Sequence, residues 1–164
     1  MAALKFVIVN FLCGVKLSMR SPTLTSSMED YLEALLRLEK EKGVVRVKEL
    51  ADSLGLTNAS ISTAIPKLGR LGLVTFERYG PIRLTPLGRR MAKQVIRREE
   101  VLVAFFSEVL GIPKNKARQE ACRIEHSISS ESLEALEALL GYLRENPHLL
   151  EAWRASCKSA SSAE

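Results

Sequence analysis

The chain has 164 residues, of which 46% are hydrophobic and 26% charged, a balance that excludes an intrinsically disordered protein. Its net charge of +5 permits an acidic polymer as partner, while the aromatic content of 5% argues against a base-stacking surface. The three cysteines form no C-x-x-C pair, which predicts a reducing cytoplasm rather than a disulfide framework. No apolar run reaches the roughly 18 residues of a membrane span, so no membrane partner is expected.

The first segment, residues 1–22, is predicted to be an extension outside the folded domains. Within it residues 6–15 read FVIVNFLCGV and resemble the core of a signal peptide, but no A-x-A cleavage site follows them. We expect the native protein to start at Met19, so that residues 1–18 come from an upstream start assignment. A short added strand or helix is the alternative.

Residues 23–93 are predicted to form a winged helix-turn-helix domain. A first helix runs from about Met28 to Lys42 and ends at a glycine. Two shorter helices follow, one starting near Val47 and one capped by Thr57 or Asn58, and a glycine-containing turn joins them. Two short helices joined in this way are typical of the DNA-binding helix-turn-helix motif.

A predicted hairpin follows the motif in the sequence LVTFERYGPIRLT. Its strands are expected at Val74–Glu77 and Ile82–Leu84, and a hairpin in this place is typical of a wing. Pro66 lies inside the second helix of the motif, where a proline removes a backbone hydrogen bond and costs ~3 kcal/mol. Either a kink or a different helix register is therefore expected there.

The charge pattern supports double-stranded DNA as a partner. Nine Lys or Arg residues lie between Thr57 and Arg98, against a single acidic residue, Glu77. In a helix-turn-helix the N-terminal part of the second helix meets base edges, and nearby basic groups contact phosphates. The predicted base-edge residues are small, mostly hydroxylic side chains: Thr57, Ala59, Ser60, Ser62 and Thr63. The predicted phosphate contacts are Lys67, Arg70, Arg78 and Arg83.

Residues 94–157 are predicted to form a second, helical domain, followed by a polar tail at 158–164. A long helix capped by Thr85 leads into it and ends near Leu110. Three further helices are expected at about 115–127, 130–144 and 148–157. From Glu120 to Glu151 there are seven Glu residues against two Arg, so this half is acidic where the first is basic.

One segment of the second half, EACRIEH at 120–126, holds three potential metal ligands: Cys122, Glu125 and His126. Their i, i+3, i+4 spacing places them on one face of a helix. Ordinary packing of that face is the alternative, because a lone Cys or His on a helix is most often a buried packing residue. The chain has no phosphate-binding loop, G-x-S-x-G or H-E-x-x-H motif, so an enzyme is not expected.

Four segments in this order and spacing resemble the diphtheria toxin repressor family of metal-dependent transcription regulators, which includes the manganese transport regulators. They are SMEDYLE at 27–33, LTPLGR at 84–89, VIRR at 95–98 and NKARQEACRIEH at 115–126. The resemblance extends from about Thr23 to Arg144. It implies a mainly α fold with an N-terminal winged helix and a helical dimerisation domain, and a homodimer that binds a palindromic operator.

The resemblance also implies a metal site that links the two domains. Its ligands correspond here to Asp30, Cys122, Glu125 and His126, and manganese-type members also use the position of Glu33. Glu99 stands where the family has a histidine ligand, so it is expected to coordinate in its place or to pair with Arg98 or Arg118. The family's ancillary site needs a Glu and a His where this chain has Val103 and Arg118, and we expect that site to be lost.

The predicted cofactor is a divalent transition metal. Oxygen ligands suit Mn(II) and Fe(II), whereas a thiolate favours Fe(II), Zn(II) or Co(II). We therefore predict a metal-dependent transcriptional regulator, expected to act as a repressor, with Fe(II) or Mn(II) ahead of Zn(II) or Co(II). Two alternatives stay open: a winged-helix redox sensor that uses Cys122, and a metal-binding protein that does not bind DNA.

Overall fold

The structure is a computed structural model that describes residues 24–77 and 80–161, with side chains described as far as Ser156. The predicted N-terminal extension and the wing residue Arg78 lie outside the described residues. Across the described ranges, no helix is long and apolar enough to cross a membrane.

Three helices and a hairpin form the N-terminal half. They are α1 (Ser26–Lys42), α2 (Val47–Leu54), α3 (Asn58–Arg70), β1 (Val74–Phe76) and β2 (Ile82–Leu84). The strands are antiparallel, with Val74 opposite Leu84, and an isolated bridge from Val45 to Ile82 adds a third short segment. This arrangement confirms the predicted winged helix-turn-helix.

The starts of the helices follow side-chain caps. The Thr25 hydroxyl accepts a hydrogen bond from the backbone N–H of Met28, so α1 begins two residues earlier than the sequence predicted. Thr57 caps α3 as expected by accepting from the N–H of Ser60. Pro66 lies within α3, and the helix nevertheless continues to Arg70 with the predicted start.

Four helices form the C-terminal half: α4 (Pro86–Ala104), α5 (Lys114–Ile124), α6 (Ser130–Glu145) and α7 (Pro147–Ser161). A π-helical segment, Phe105–Val109, continues α4. Two boundaries differ from the prediction. The chain turns after Ile124, three residues early, because the N–H groups of Ser127 and Ile128 both bond to its carbonyl. Helix α7 extends into the predicted polar tail, since no Gly or Pro follows Pro147 to stop it.

The structure contains two hydrophobic clusters, one centred on each half of the chain. The larger one belongs to the winged helix and includes Leu35, Leu50 and Leu68, all fully buried. The smaller one joins the end of α4 to α6 and includes Val101 and Leu133. Because α4 packs against both α1 and α5, it fixes the start of α1 next to the end of α5. The predicted metal ligands lie on these two elements.

Candidate metal centre and DNA-binding surface

Three of the predicted metal ligands come together in space. A carboxylate oxygen of Asp30, one of Glu125 and a ring nitrogen of His126 all lie within 4.8 Å of one another. His126 Nε2 is 2.9 Å from Asp30 Oδ1 and 3.6 Å from Glu125 Oε1. Asp30 lies in the first turns of α1, whereas Glu125 and His126 follow α5, so the cluster joins the two halves of the chain.

Glu125 keeps its helical spacing from Cys122 although it follows the last residue of α5. Glu125 keeps helical backbone angles, φ −58° and ψ −31°, and its N–H bonds to the carbonyl of Ala121. Glu125 therefore still follows Cys122 by about one helical turn, as the sequence predicted. The Cys122 side chain itself is exposed and lies outside the three-residue group.

Sequence reasoning missed Glu29, which holds the other ring nitrogen of His126. Glu29 Oε2 lies 2.7 Å from His126 Nδ1, and Arg98 Nη2 lies 2.5 Å from the same carboxylate oxygen. A carboxylate on one ring nitrogen orients the imidazole and directs the other nitrogen toward a metal. Successive helix positions point about 100° apart, so a search for one helical face that contains Asp30 leaves Glu29 out.

Glu125 gives the clearest indication that this cluster fits a cation. Its side chain is only 2% exposed, and Oε2 has no hydrogen-bond partner among the described residues. Burial, followed by the negative charge of Glu33, raises the pKa of Glu125 to about 7. A buried carboxylate of this kind is stable when it is protonated or when a positive ion pairs with it. The donor set of two carboxylates and an imidazole suits a divalent transition metal.

Burial and the negative charge of the neighbouring carboxylates affect the pKa of both His126 and Cys122. Burial by itself would lower the pKa of His126, but the hydrogen bond to Glu29 and the charge of Asp30 raise it above its usual value. Burial and the charge of Glu125 raise the pKa of the Cys122 thiol. A raised thiol pKa disfavours the reactive thiolate that a redox sensor requires, so the structure does not favour that alternative.

The other two predicted ligands, Glu33 and Glu99, are held by arginines. Glu33 Oε1 accepts a hydrogen bond of 2.9 Å from Arg37 Nε, and Arg37 Nη2 donates to Glu99 Oε2. Arg118 Nε lies 3.5 Å from the second oxygen of Glu99, which is the pairing that the sequence offered as an alternative to coordination. Arg37 was not anticipated. The assignment of Glu33 and Glu99 as ligands stays a prediction.

The residues predicted to contact DNA lie at the N-cap of α3, along α3 and on the hairpin. The apolar side of α3, formed by Ile61, Ile65 and Leu68, is buried in the core. The hydroxyl of Thr63 donates to the carbonyl of Ala59 at 2.8 Å, which leaves its lone pairs and methyl group free to face a partner. The predicted contacts that the structure describes are all exposed: Thr57, Ala59, Ser60, Ser62, Thr63, Lys67, Arg70 and Arg83.

Two family models match the chain and divide it in the same way as the fold. One, the iron dependent repressor N-terminal DNA binding domain, matches residues 23–82, and the other, the iron dependent repressor metal binding and dimerisation domain, matches residues 85–154. The chain belongs to the iron-dependent repressor family. This confirms the resemblance on which the sequence analysis relied.

Relatives within the iron-dependent repressor family are transcriptional regulators. The HTH-type transcriptional regulator MntR of Lysinibacillus sphaericus is 30% identical over 80% of this chain and 94% of that protein. MntR of Geobacillus kaustophilus is 32% identical over 79% of this chain and 92% of its own length.

Solved structures of the same family share the fold. A manganese-dependent transcriptional repressor in complex with manganese aligns with a TM-score of 0.65 and 31% identity, over 70% of this chain and 53% of that one. The IdeR protein of T. acidophilum aligns with a TM-score of 0.63 and 28% identity, over 73% and 55%. The chain thus spans about half the length of these solved proteins.

Proposed function

We propose that this protein is a metal-dependent transcriptional repressor that binds a palindromic operator as a homodimer when a divalent transition metal occupies its centre. The observation that carries this proposal is the meeting of Asp30, Glu125 and His126 across the two halves of the chain. The relatives named MntR and the similarity to a manganese-dependent repressor support it. Cytoplasmic localisation follows from a chromosomal target.

Asp30, Glu125 and His126 would hold the metal, and Cys122, one helical turn before Glu125 but outside this group, is a further candidate donor. The metal supplies positive charge that allows these groups to remain together in their ionised or neutral ligand forms. Oxygen donors suit Mn(II) and Fe(II), so these are the first candidates, and participation of Cys122 would shift the preference toward Fe(II), Zn(II) or Co(II).

A homodimer is supported by apolar side chains that the single chain leaves exposed on α6 and α7. Leu139 and Tyr142 on α6, and Leu149 and Trp153 on α7, are each more than a third exposed. Large exposed apolar groups concentrated on adjacent helices are typical of an interface with another protein. The family model over these helices describes a dimerisation domain, so a second copy of the chain is the partner we propose.

The residues of the centre explain how metal binding would reach the DNA. Asp30 is fixed to α1, which packs directly on α2 of the helix-turn-helix, whereas Glu125 and His126 are fixed to the dimerisation half. Joining them restricts the position of each α3 relative to the dimer axis. Two recognition helices fit a palindrome when they lie one helical turn apart, ~34 Å. Metal would shift the population of dimers toward that spacing.

A DNA-binding titration across Mn(II), Fe(II), Zn(II) and Co(II), with metal-free protein as the control, tests the proposal. Protein purified with a chelator is mixed with a library of duplexes to select an operator, and affinity is then measured with each ion. We expect binding to that operator to require an ion. If the affinity for the operator is the same in the presence of each ion as in its absence, metal dependence is contradicted. If the selection yields no sequence with any of the ions, the DNA-binding role is contradicted.

A further inference from the structure

Arg37 lies between two carboxylates beside the candidate metal centre. On one side its Nη2 is 2.7 Å from Oε1 of Glu33, one turn earlier on α1. On the other side the same nitrogen donates a hydrogen bond to Glu99 on α4. Glu99 is only 8% exposed, so this contact places a positive charge where a buried carboxylate requires one. The guanidinium thereby bridges two helices of the two halves.

Glu33 and Glu99 lie close to the centre without belonging to it. Glu33 follows Asp30 by one helical turn on α1, and Glu99 is the chain neighbour of Arg98, which contacts Glu29 beside His126. Neither of them is within the group formed by Asp30, Glu125 and His126. Two carboxylates on facing helices are by themselves a donor pair for a hard divalent cation.

The charges around the centre balance with a single divalent ion. The guanidinium of Arg37 contacts Glu33 and Glu99, that of Arg98 contacts Glu29, and that of Arg118 contacts Glu99. Five carboxylates contribute the negative charge: Glu29, Asp30, Glu33, Glu99 and Glu125. Three arginines and one divalent ion neutralise them, whereas a second ion would leave an excess of two positive charges, which removal of Arg37 would reduce to one.

We propose that Arg37 acts as a built-in cation between Glu33 and Glu99, so that each chain binds one divalent ion and not two. The proposal rests on the proposed function, because it takes the first ion to be held by Asp30, Glu125 and His126. Arginine suits this role, since its planar fork reaches two carboxylates at once and it stays protonated at any physiological pH. Arg37 is thus a positioning residue that sets metal stoichiometry.

The test compares the number of Mn(II) ions bound per chain by the parent, Arg37→Gln and Arg37→Lys. Each chelator-treated protein is dialysed against excess Mn(II) and its bound metal is measured by elemental analysis, with folding checked by circular dichroism. We expect one ion for the parent and for R37K, which keeps the charge, and two for R37Q. Arg97→Gln is the matched control, because the exposed Arg97 pairs with Glu137 on α6 and not with a carboxylate of the centre, and this variant should bind one ion.

The possible outcomes separate this proposal from the proposed function. A parent that binds two ions, or an R37Q variant that stays at one while folded, overturns the role of Arg37 and leaves the metal-dependent function standing. A parent that binds none overturns the proposed function. If R37Q does not fold, Arg37→Lys decides. It remains at one ion if the positive charge excludes the second, and two ions bound by folded R37K would overturn the proposal.

Discussion

At the residue scale, both ring nitrogens of His126 are engaged by acidic groups. Nδ1 contacts Glu29, and Nε2 faces Asp30 and Glu125. A neutral imidazole has one donor and one acceptor nitrogen, so with a metal bound, a proton held on Nδ1 by Glu29 would leave Nε2 with the lone pair that the metal requires. His126 therefore depends on partners from α1 for its function as a ligand.

Replacing His126 with Ala should weaken Mn(II) binding by more than about 100-fold, beyond the 10–100-fold typical of losing an outer partner of a ligand. Metal-dependent DNA binding should fall with it, because the centre loses its nitrogen donor. Calorimetric titration with Mn(II) measures the affinity, and far-UV circular dichroism checks the fold. His148→Ala, at an exposed position of α7, is the control. If H126A binds metal and operator like the parent, the centre is misassigned.

Glu29→Ala should reduce Mn(II) affinity by about 10–100-fold without abolishing it, because the variant frees the imidazole and leaves Asp30, Glu125 and His126 in place. The same calorimetric titration provides the measurement. Glu131→Ala, an exposed acidic residue in the first turn of α6, controls for the loss of one negative charge. An unchanged affinity for E29A, or an equal loss for E131A, would show that Glu29 does not orient the ligand.

The candidate metal ligands could be predicted from the sequence, but the residues that contact and orient them could not. Glu125 and His126 follow from helical spacing within one short segment, and Asp30 follows from the family resemblance. Glu29 and Arg37 act across the fold, on residues 97 and 62 positions away in the chain. Helical periodicity relates neighbours three and four apart and carries no information on which helices later meet. These contacts therefore required the tertiary structure.

At the scale of elements, the start of α4 is fixed by a close approach to the wing. A Cβ atom added at Gly88 would lie 1.9 Å from the carbonyl oxygen of Leu73. Thr85 caps the helix by accepting from the N–H of Gly88, and its hydroxyl donates to the carbonyl of Gly72 at 2.7 Å. The first turn of α4 thus packs directly against the backbone before β1.

Gly88→Ala should lower the free energy of unfolding by about 1–3 kcal/mol, because the added methyl group forces α4 away from Leu73. Gly141→Ala is the matched control in α6, where a Cβ meets nothing within 4 Å. That substitution should raise stability by roughly 0.5–1 kcal/mol through the lower helix propensity of glycine. Urea unfolding at one protein concentration compares them, and a G88A variant as stable as the parent would contradict the close approach.

The starts of α3 and α4 were predictable because Thr57 and Thr85 cap them as the sequence indicated. The Thr25 cap of α1 was not anticipated, and that helix begins two residues before the predicted start. The π-helical segment Phe105–Val109 was predicted only as helix, because its apolar residues continue the pattern of α4 and a single widened turn leaves no distinct periodicity. The ends of α5 and α7 were misplaced because neither carries a Gly or Pro stop signal at its last residue.

At the scale of the whole molecule, opposite charges separate along the chain. The exposed basic groups Lys67, Arg70 and Arg83 lie on α3 and the wing, while the acidic cluster around His126 lies where the two halves join. A negatively charged DNA backbone is therefore attracted to one surface and a cation to another. The two ligands bind at separate places, which are connected by the packing of α1 on α2 and of α4 on both α1 and α5.

Arg83→Ala at saturating metal should weaken binding to all DNA sequences about equally and reduce the log–log salt slope by about 0.9, as expected for one lost phosphate contact. Thr63→Ala should instead change the preference between sequences, because its methyl group and lone pairs face base edges rather than phosphates. Fluorescence anisotropy across a salt series, on a selected operator and a scrambled duplex, measures both effects.

Arg154→Ala, on α7 and away from the DNA-binding surface, removes the same charge as Arg83→Ala and should leave the salt slope as it is. Ser62→Ala tests the neighbouring exposed position of α3 for the same change in sequence preference. A wing substitution that alters sequence preference while the salt slope holds would reverse the assigned roles. Unchanged binding by the α3 and wing variants alike would place the DNA contact elsewhere, since charge and shape could then act only through other residues.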